Sequence, residues 1–168
     1  MKKNLILVGF MGTGKSAVGR RLATHLSMRF VDMDKEIEDD QGMPISDIFE
    51  KHGEAWFRER EAEKVKELAS QQGLIISTGG GIVLNPDNIT EFEKSGKVIC
   101  LKASVDAILR RLVNDSRRPL LQGENKRDRV KQLMLDRKKY YEAIALQVDT
   151  TYMSHEEVAA AVYNAYSQ

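Results

Sequence analysis

Asn4-Leu5-Ile6-Leu7-Val8-Gly9-Phe10-Met11-Gly12-Thr13-Gly14-Lys15-Ser16 is the stretch whose reading decides the fold of this chain. Leu5 to Val8 form a continuous apolar run of strand length. Such a run suits a central strand of a parallel sheet, covered on both faces, better than a half-exposed strand. Gly9 to Ser16 then match G-x-x-x-x-G-K-[ST]. Glycines at these positions let the chain turn tightly and aim backbone N–H groups inward at a polyphosphate. Lys15 places a positive charge near the β- and γ-phosphates, and the Ser16 hydroxyl can ligate Mg²⁺. A helix over about 15–26, with Val18, Leu22 and Leu26 on one face, brings its positive dipole end to the same anion.

Composition narrows the remaining classes. A chain of 168 residues that is 42% hydrophobic makes one compact domain with a proper core, residues 1–168. A formal charge of +1 argues against a general nucleic-acid or membrane partner. One cysteine excludes an intramolecular disulfide and points to a reducing cytoplasm. The start, Met1-Lys2-Lys3 before Leu5–Val8, has too short an apolar run for a signal peptide. No stretch is long enough to span a membrane as a helix.

Outward from the phosphate loop, strands alternate with helices. Residues 28–34, Met-Arg-Phe-Val-Asp-Met-Asp, read as a second strand ending in Asp-x-Asp. In extended chain Asp32 and Asp34 share one side, at the strand end where open α/β sheets bind ligands. Residues 35–50 read as polar helix broken at Gly42-Met43-Pro44. Residues 54–70 read as a long helix with Ala55, Ala62, Val65 and Ala69 on one face and Arg58 in its first turns. Leu74–Thr78 is a third strand, and Gly79-Gly80-Gly81 after it admits a ligand close to the main chain. Asn85-Pro86 opens a helix that Gly96 closes, and Val98–Leu101 is a fourth strand in which Cys100 is a small buried hydrophobe. After a helix over 104–113, the stretch 114–124 reads as an exposed loop with an Arg117-Arg118 pair, suited to a lid on a transferring phosphoryl group. Residues 127–143 form a basic helix, 145–149 the last strand, and Ser154-His155-Glu156-Glu157 a capping box for the closing helix. The expected fold is a three-layer α/β/α arrangement around a five-stranded parallel sheet.

A P-loop specifies a nucleotide, not a reaction. A GTPase is the competing class, and Asn125-Lys126-Arg127-Asp128 and Asp39-Asp40-Gln41-Gly42 match N-K-x-D and D-x-x-G. Both lack the apolar strand that must precede them, so both read as accidents. A nucleotide sensor without chemistry leaves the Asp and Arg constellation without a purpose.

Six stretches together carry a resemblance. They are Gly9–Ser16, Asp32-Met33-Asp34, Phe57-Arg58-Glu59-Arg60-Glu61, Gly79-Gly80-Gly81, Arg118-Pro119-Leu120-Leu121 and Asp136-Arg137-Lys138-Lys139-Tyr140-Tyr141. In this order, nearly end to end, the chain resembles the shikimate kinases. The resemblance implies a nucleoside-monophosphate-kinase-like fold, with a lid at about 113–124 and an acceptor-binding helical segment at about 33–61. It implies transfer of the ATP γ-phosphoryl to the 3-hydroxyl of shikimate in aromatic amino-acid biosynthesis, by a monomer.

The same resemblance assigns the site. Gly12, Thr13, Gly14, Lys15, Ser16 and Ala17 would hold ATP, with Arg111 against the adenine ring. Ser16 and Asp32 would hold Mg²⁺, while Lys15 and Arg118 would neutralise charge on the phosphoryl oxygens. Arg58 and Arg137 would grip the shikimate carboxylate, a task that suits the guanidinium fork. Gly79, Gly80 and Gly81 would border the ring, and Asp34 is the candidate base. A gluconate-type kinase would not need the Arg58–Arg137 pair, and a nucleotide acceptor would need a base-recognition site for which the sequence gives no signal.

Overall fold

The computed structural model describes residues 2–113 and 125–168. Arg117, Arg118 and nearly all of the expected lid lie outside the described residues. The described residues form five strands: β1 (Asn4–Gly9), β2 (Arg29–Asp32), β3 (Leu74–Ser77), β4 (Gly96–Lys102) and β5 (Leu146–Asp149). They pair in the order β2-β3-β1-β4-β5, and each pair is parallel.

The continuous apolar runs have a direct structural cause. Successive side chains of a strand point to opposite faces, and here both faces are covered. Ile6 and Val8 of β1 join Ile76, Val98 and Cys100 in one core, while Leu5 and Leu7 join Ile75, Ile99 and Leu101 in the other. Helices α4 (Glu54–Ala69) and α5 (Pro86–Ser95) contribute Phe57, Val65, Leu68 and Phe92 to the first. Helices α1 (Lys15–Leu26) and α8 (His155–Ser167) contribute Val18, Leu22, Val158 and Val162 to the second. A third, smaller core joins Phe10 and Met11 of the loop after β1 to α6 (Val105–Leu112) and α7 (Lys126–Glu142). The phosphate loop is thus packed from below, with its backbone at the C-terminal end of the sheet. Among the described residues, no helix is long and apolar enough to cross a membrane.

Caps set several helix starts. Asn85 accepts from the Asp87 N–H with Pro86 at the first helical position, and Ser154 and Glu157 form the expected reciprocal box. Helix α1 differs: it starts from Gly14 in the left-handed region with no side-chain cap. Its first N–H groups remain available to an anion.

Two local expectations need correction. The second strand stops at Asp32, and α2 (Met33–Gln41) begins directly after it. Asp32 keeps an extended backbone and its side chain accepts from the Lys35 N–H, so it is the N-cap. Asp34 therefore lies in the first helical turn and not on a shared strand face with Asp32. Capping by Asp32 outweighs the strand tendency of the preceding residues. The second correction concerns α4. Its buried residues are Phe57, Glu61, Lys64, Val65 and Leu68, whereas Ala55 is exposed and Ala62 and Ala69 are only half-buried. Val65 is buried as expected and Ala69 packs against the core, but Glu61 and Lys64 share the inward face, which is turned toward Phe57 and Leu68. Lys64 is held there by Asp40 at 2.7 Å and Glu67 at 2.6 Å. A third helix, α3 (Ile45–His52), follows the break at 42–44 as expected.

Candidate active site

The phosphate loop is shaped by its backbone. Gly9, Gly12 and Gly14 have φ of +144°, +77° and +95°, a region costly for residues with a Cβ. At Gly9 space is lacking too, since a Cβ would lie 2.2 Å from the Leu101 carbonyl oxygen of the neighbouring strand. Thr13 Oγ1 closes the loop by donating to the Phe10 carbonyl at 2.7 Å. Lys15 is 8% exposed, and its Nζ donates to the carbonyls of Gly9 at 2.7 Å and Phe10 at 3.0 Å. The ammonium is thereby held against the loop that must receive a phosphate.

At the start of α1, Ser16 Oγ donates to Asp32 Oδ2 at 3.3 Å and lies 3.1 Å from Ser77 Oγ. β2 and β3 thus deliver a carboxylate and a hydroxyl to the phosphate loop. Hard oxygen donors of this kind suit Mg²⁺, which binds through one or two carboxylates plus substrate phosphates. Among the described residues no cluster of three His, Cys, Asp or Glu side chains able to hold a metal occurs.

The other half of the site is assembled around Gly79-Gly80-Gly81. None of these three glycines has positive φ; each instead leaves room for a side chain from elsewhere. A Cβ on Gly79 would lie 2.7 Å from Asp34 Oδ1 and 3.3 Å from Glu61 Oε2. On Gly80 it would lie 3.4 Å from Arg137 Nη1 and 3.5 Å from the Met11 N of the phosphate loop. On Gly81 it would lie 2.3 Å from Arg58 Nη2. The three glycines therefore gather Asp34 from α2, Arg58 from α4 and Arg137 from α7 beside the phosphate loop.

Glu61 and Tyr141 fix this arrangement, and neither was singled out from the sequence. Arg58 Nη1 donates to Glu61 Oε1 at 2.8 Å and Nη2 to Glu54 Oε1 at 3.2 Å. Burial opposes the Arg58 charge, but Glu61 and Glu54 outweigh it and raise its pKa. Glu61 is 1% exposed. Burial pushes its carboxyl above the ordinary range against the pull of Arg58, and neighbouring Asp34 adds to the rise. Arg137 is 4% exposed and sits over the Phe10 ring at 5.9 Å. Tyr141, one turn on along α7, donates its hydroxyl to the Gly80 carbonyl at 2.5 Å. A repeated i, i+3 acid such as Glu61 after Arg58 was readable as an ion pair. Its burial was not.

Arg111 bridges two loops. Its Nη1 donates to Gly12 O and Thr150 Oγ1 at 3.0 Å, and Nη2 to Thr150 O at 2.8 Å. The guanidinium thus stands at the edge of the phosphate loop, while Arg110 is exposed beside it. His155, given no role from the sequence, also reaches this rim: a Cβ on Gly14 would lie 3.7 Å from its Nε2. Ala17 follows Ser16 within α1. Both GTPase-like matches fall on helices among the described residues. Asn125 caps α7 with φ of 63°, and Asp39 lies inside α2.

A family model described as shikimate kinase matches residues 11–167. The chain belongs to the shikimate kinase family. It is 43% identical over 164 residues to a shikimate kinase of Thermoanaerobacter pseudethanolicus, covering 98% of this chain and 96% of that one. Among solved structures, shikimate kinase from Acinetobacter baumannii in complex with shikimate matches with a TM-score of 0.92 and 36% identity, over 98% of this chain and 93% of that chain. The structure of shikimate kinase from Aquifex aeolicus matches with a TM-score of 0.81 and 32% identity, over 98% and 96%. The protein is accordingly a kinase that transfers phosphate to shikimate, built on the P-loop kinase fold.

Proposed function

We propose that shikimate lies on Gly79–Gly81 with its carboxylate on Arg58 and Arg137 and its 3-hydroxyl toward Asp34 and the phosphate loop. The observation that carries this reading is the convergence of one carboxylate, two arginines and the loop on three consecutive glycines. Shikimate has the matching groups: one carboxylate, and hydroxyls on the rest of a small ring. Arg58 also has a buried Nε–H without a hydrogen-bond partner among the described residues. An anionic ligand would satisfy such a donor.

The reaction then follows from the residues. The 3-hydroxyl oxygen bonds to the γ-phosphorus of ATP while the β–γ bridging oxygen departs with ADP. Asp34 orients the hydroxyl and accepts its proton. N–H groups at 12–17 hold the phosphates, and Lys15 turns from the Gly9 and Phe10 carbonyls toward the transferring group. Such donors act mainly where charge develops. Arg118, outside the described residues, is assigned to the same charge from the lid side, and Arg111 to the adenine ring. Ser16 and Asp32 would hold Mg²⁺, which would supply charge neutralisation on the phosphates when bound. The product, shikimate 3-phosphate, serves aromatic amino-acid biosynthesis.

The test is coupled ADP release with ATP and Mg²⁺ against shikimate, quinate, gluconate and nucleoside monophosphates. Turnover with shikimate far above the other acceptors is expected. Preference for gluconate or a nucleotide would overturn the acceptor assignment.

A further inference from the structure

A cleft of about 380 Å³ lies between α7 and the ends of β4 and β5. Its size falls within the range of small-molecule pockets. Ala103, Met134, Leu135 and Tyr141 give it an apolar wall, with buried Cys100 at its base. Leu135 is 65% exposed although it belongs to a helix otherwise dense in charge. Lys102, Lys131 and Lys138 stand around this wall. Among the described residues the lining contains one carboxylate, Glu142, so three lysines leave an excess of two positive charges. Glu142 itself approaches Lys138 at 3.7 Å.

We propose that this cleft binds a small aromatic monocarboxylate. An aromatic body suits the Tyr141 and Phe10 rings and the Met134 thioether, which favours ring contacts. The lysines supply the counter-charge, and their exposed ammonium groups meet an anion without being buried first. An inorganic phosphate would leave the apolar wall unused, and a nucleic acid would need a longer basic track. The cleft shares walls with the catalytic half of the molecule. Phe10 belongs to the phosphate loop, and the Tyr141 hydroxyl holds the Gly80 carbonyl. A bound ring would press on both, so occupancy lowers the affinity for shikimate. That second limb rests on the acceptor pocket assigned above; binding itself does not.

Calorimetric titration with 3-phenylpropanoate, beside its neutral amide, tests the site. The acid should bind, and the amide at least about tenfold more weakly, since two exposed ion contacts are together worth about 1.4 kcal/mol. The double variant Lys131→Glu/Lys138→Glu should lose at least about tenfold in acid affinity while keeping the shikimate kcat/KM of the unmodified chain. Leu135→Ser should weaken acid and amide alike. Arg58→Ala should bind the acid normally, which separates this cleft from the acceptor pocket. With the acid at saturation, the shikimate KM should rise about fivefold in the unmodified chain and stay constant in the double variant. Undiminished binding to the double variant, loss of binding in Arg58→Ala, or no binding of acid at about 10 mM would overturn the site. A KM insensitive to bound acid would overturn the link through Tyr141.

Discussion

The two halves of the active site use glycine for different reasons. On the phosphate side, Gly9, Gly12 and Gly14 are required by positive φ and by backbone that passes too close. On the other side, Gly79, Gly80 and Gly81 have no positive φ; Gly79 and Gly81 are required by the Asp34 and Arg58 side chains that a Cβ would meet, while at Gly80 a Cβ would only touch Arg137. The first half is a local object, a loop that any chain can build from consecutive residues. The second exists only after α2, α4 and α7 have packed on the sheet. It follows that damage to the first half should spread through the fold, whereas damage to the second should stay within acceptor recognition and chemistry.

The largest effect expected is on turnover. Asp34→Asn keeps shape but cannot take a proton, so kcat should fall by about 10²–10⁴-fold with ATP affinity nearly unchanged. Near-normal turnover would remove Asp34 from proton transfer. Next comes Gly9→Ala, where the new Cβ meets the Leu101 carbonyl of the central sheet at 2.2 Å. A loss of about 3 kcal/mol in unfolding free energy, together with lost ATP binding, is expected in denaturant titrations. A fully stable variant would show that the loop can shift independently of β4.

Smaller and more selective changes sharpen the contrast. With the carboxylate placed as proposed, Arg58→Ala and Arg137→Ala should each lose charge-assisted bonds worth about 1.5–3 kcal/mol, or about 10–100-fold in shikimate affinity. ATP affinity should change by less than about twofold, within the spread of a distant substitution. Equal losses for both ligands would contradict the division into halves. Gly81→Ala is the mildest test. Its Cβ meets the end of the Arg58 side chain, which can move. Shikimate KM should rise about tenfold while stability falls by less than about 1 kcal/mol.

The same contrast explains what was legible in the sequence. The phosphate loop, α1, the Asn85 start and the Ser154 box were readable because neighbouring residues cause them. The two-sided parallel sheet followed from the runs at 5–8, 74–78 and 98–101, whereas the order of its strands, β2-β3-β1-β4-β5, was not read from them. The Asp-x-Asp stretch was misread because a capping carboxylate and a strand-end carboxylate look alike until the chain turns at Asp32. The inward face of α4 was misread because Glu61 and Lys64 are charges that the packing of the helix on the sheet buries; Arg58 and Glu67 pair with them locally, but Asp40, which also holds Lys64, comes from α2. Tyr141 gave no signal beyond its place beside Arg137, since its partner is a main-chain carbonyl 61 residues away. Residues named by family likeness, Asp34, Arg58 and Arg137, do meet at one place.

In the proposed arrangement, acceptor and phosphate halves face each other across Gly80. A crystal structure with shikimate and ADP bound tests it most directly. The carboxylate should lie on Arg58 and Arg137, with a ring hydroxyl between Asp34 and the phosphate loop. Shikimate seated away from Lys15, with Asp34 and Arg137 on separate surfaces, would contradict it.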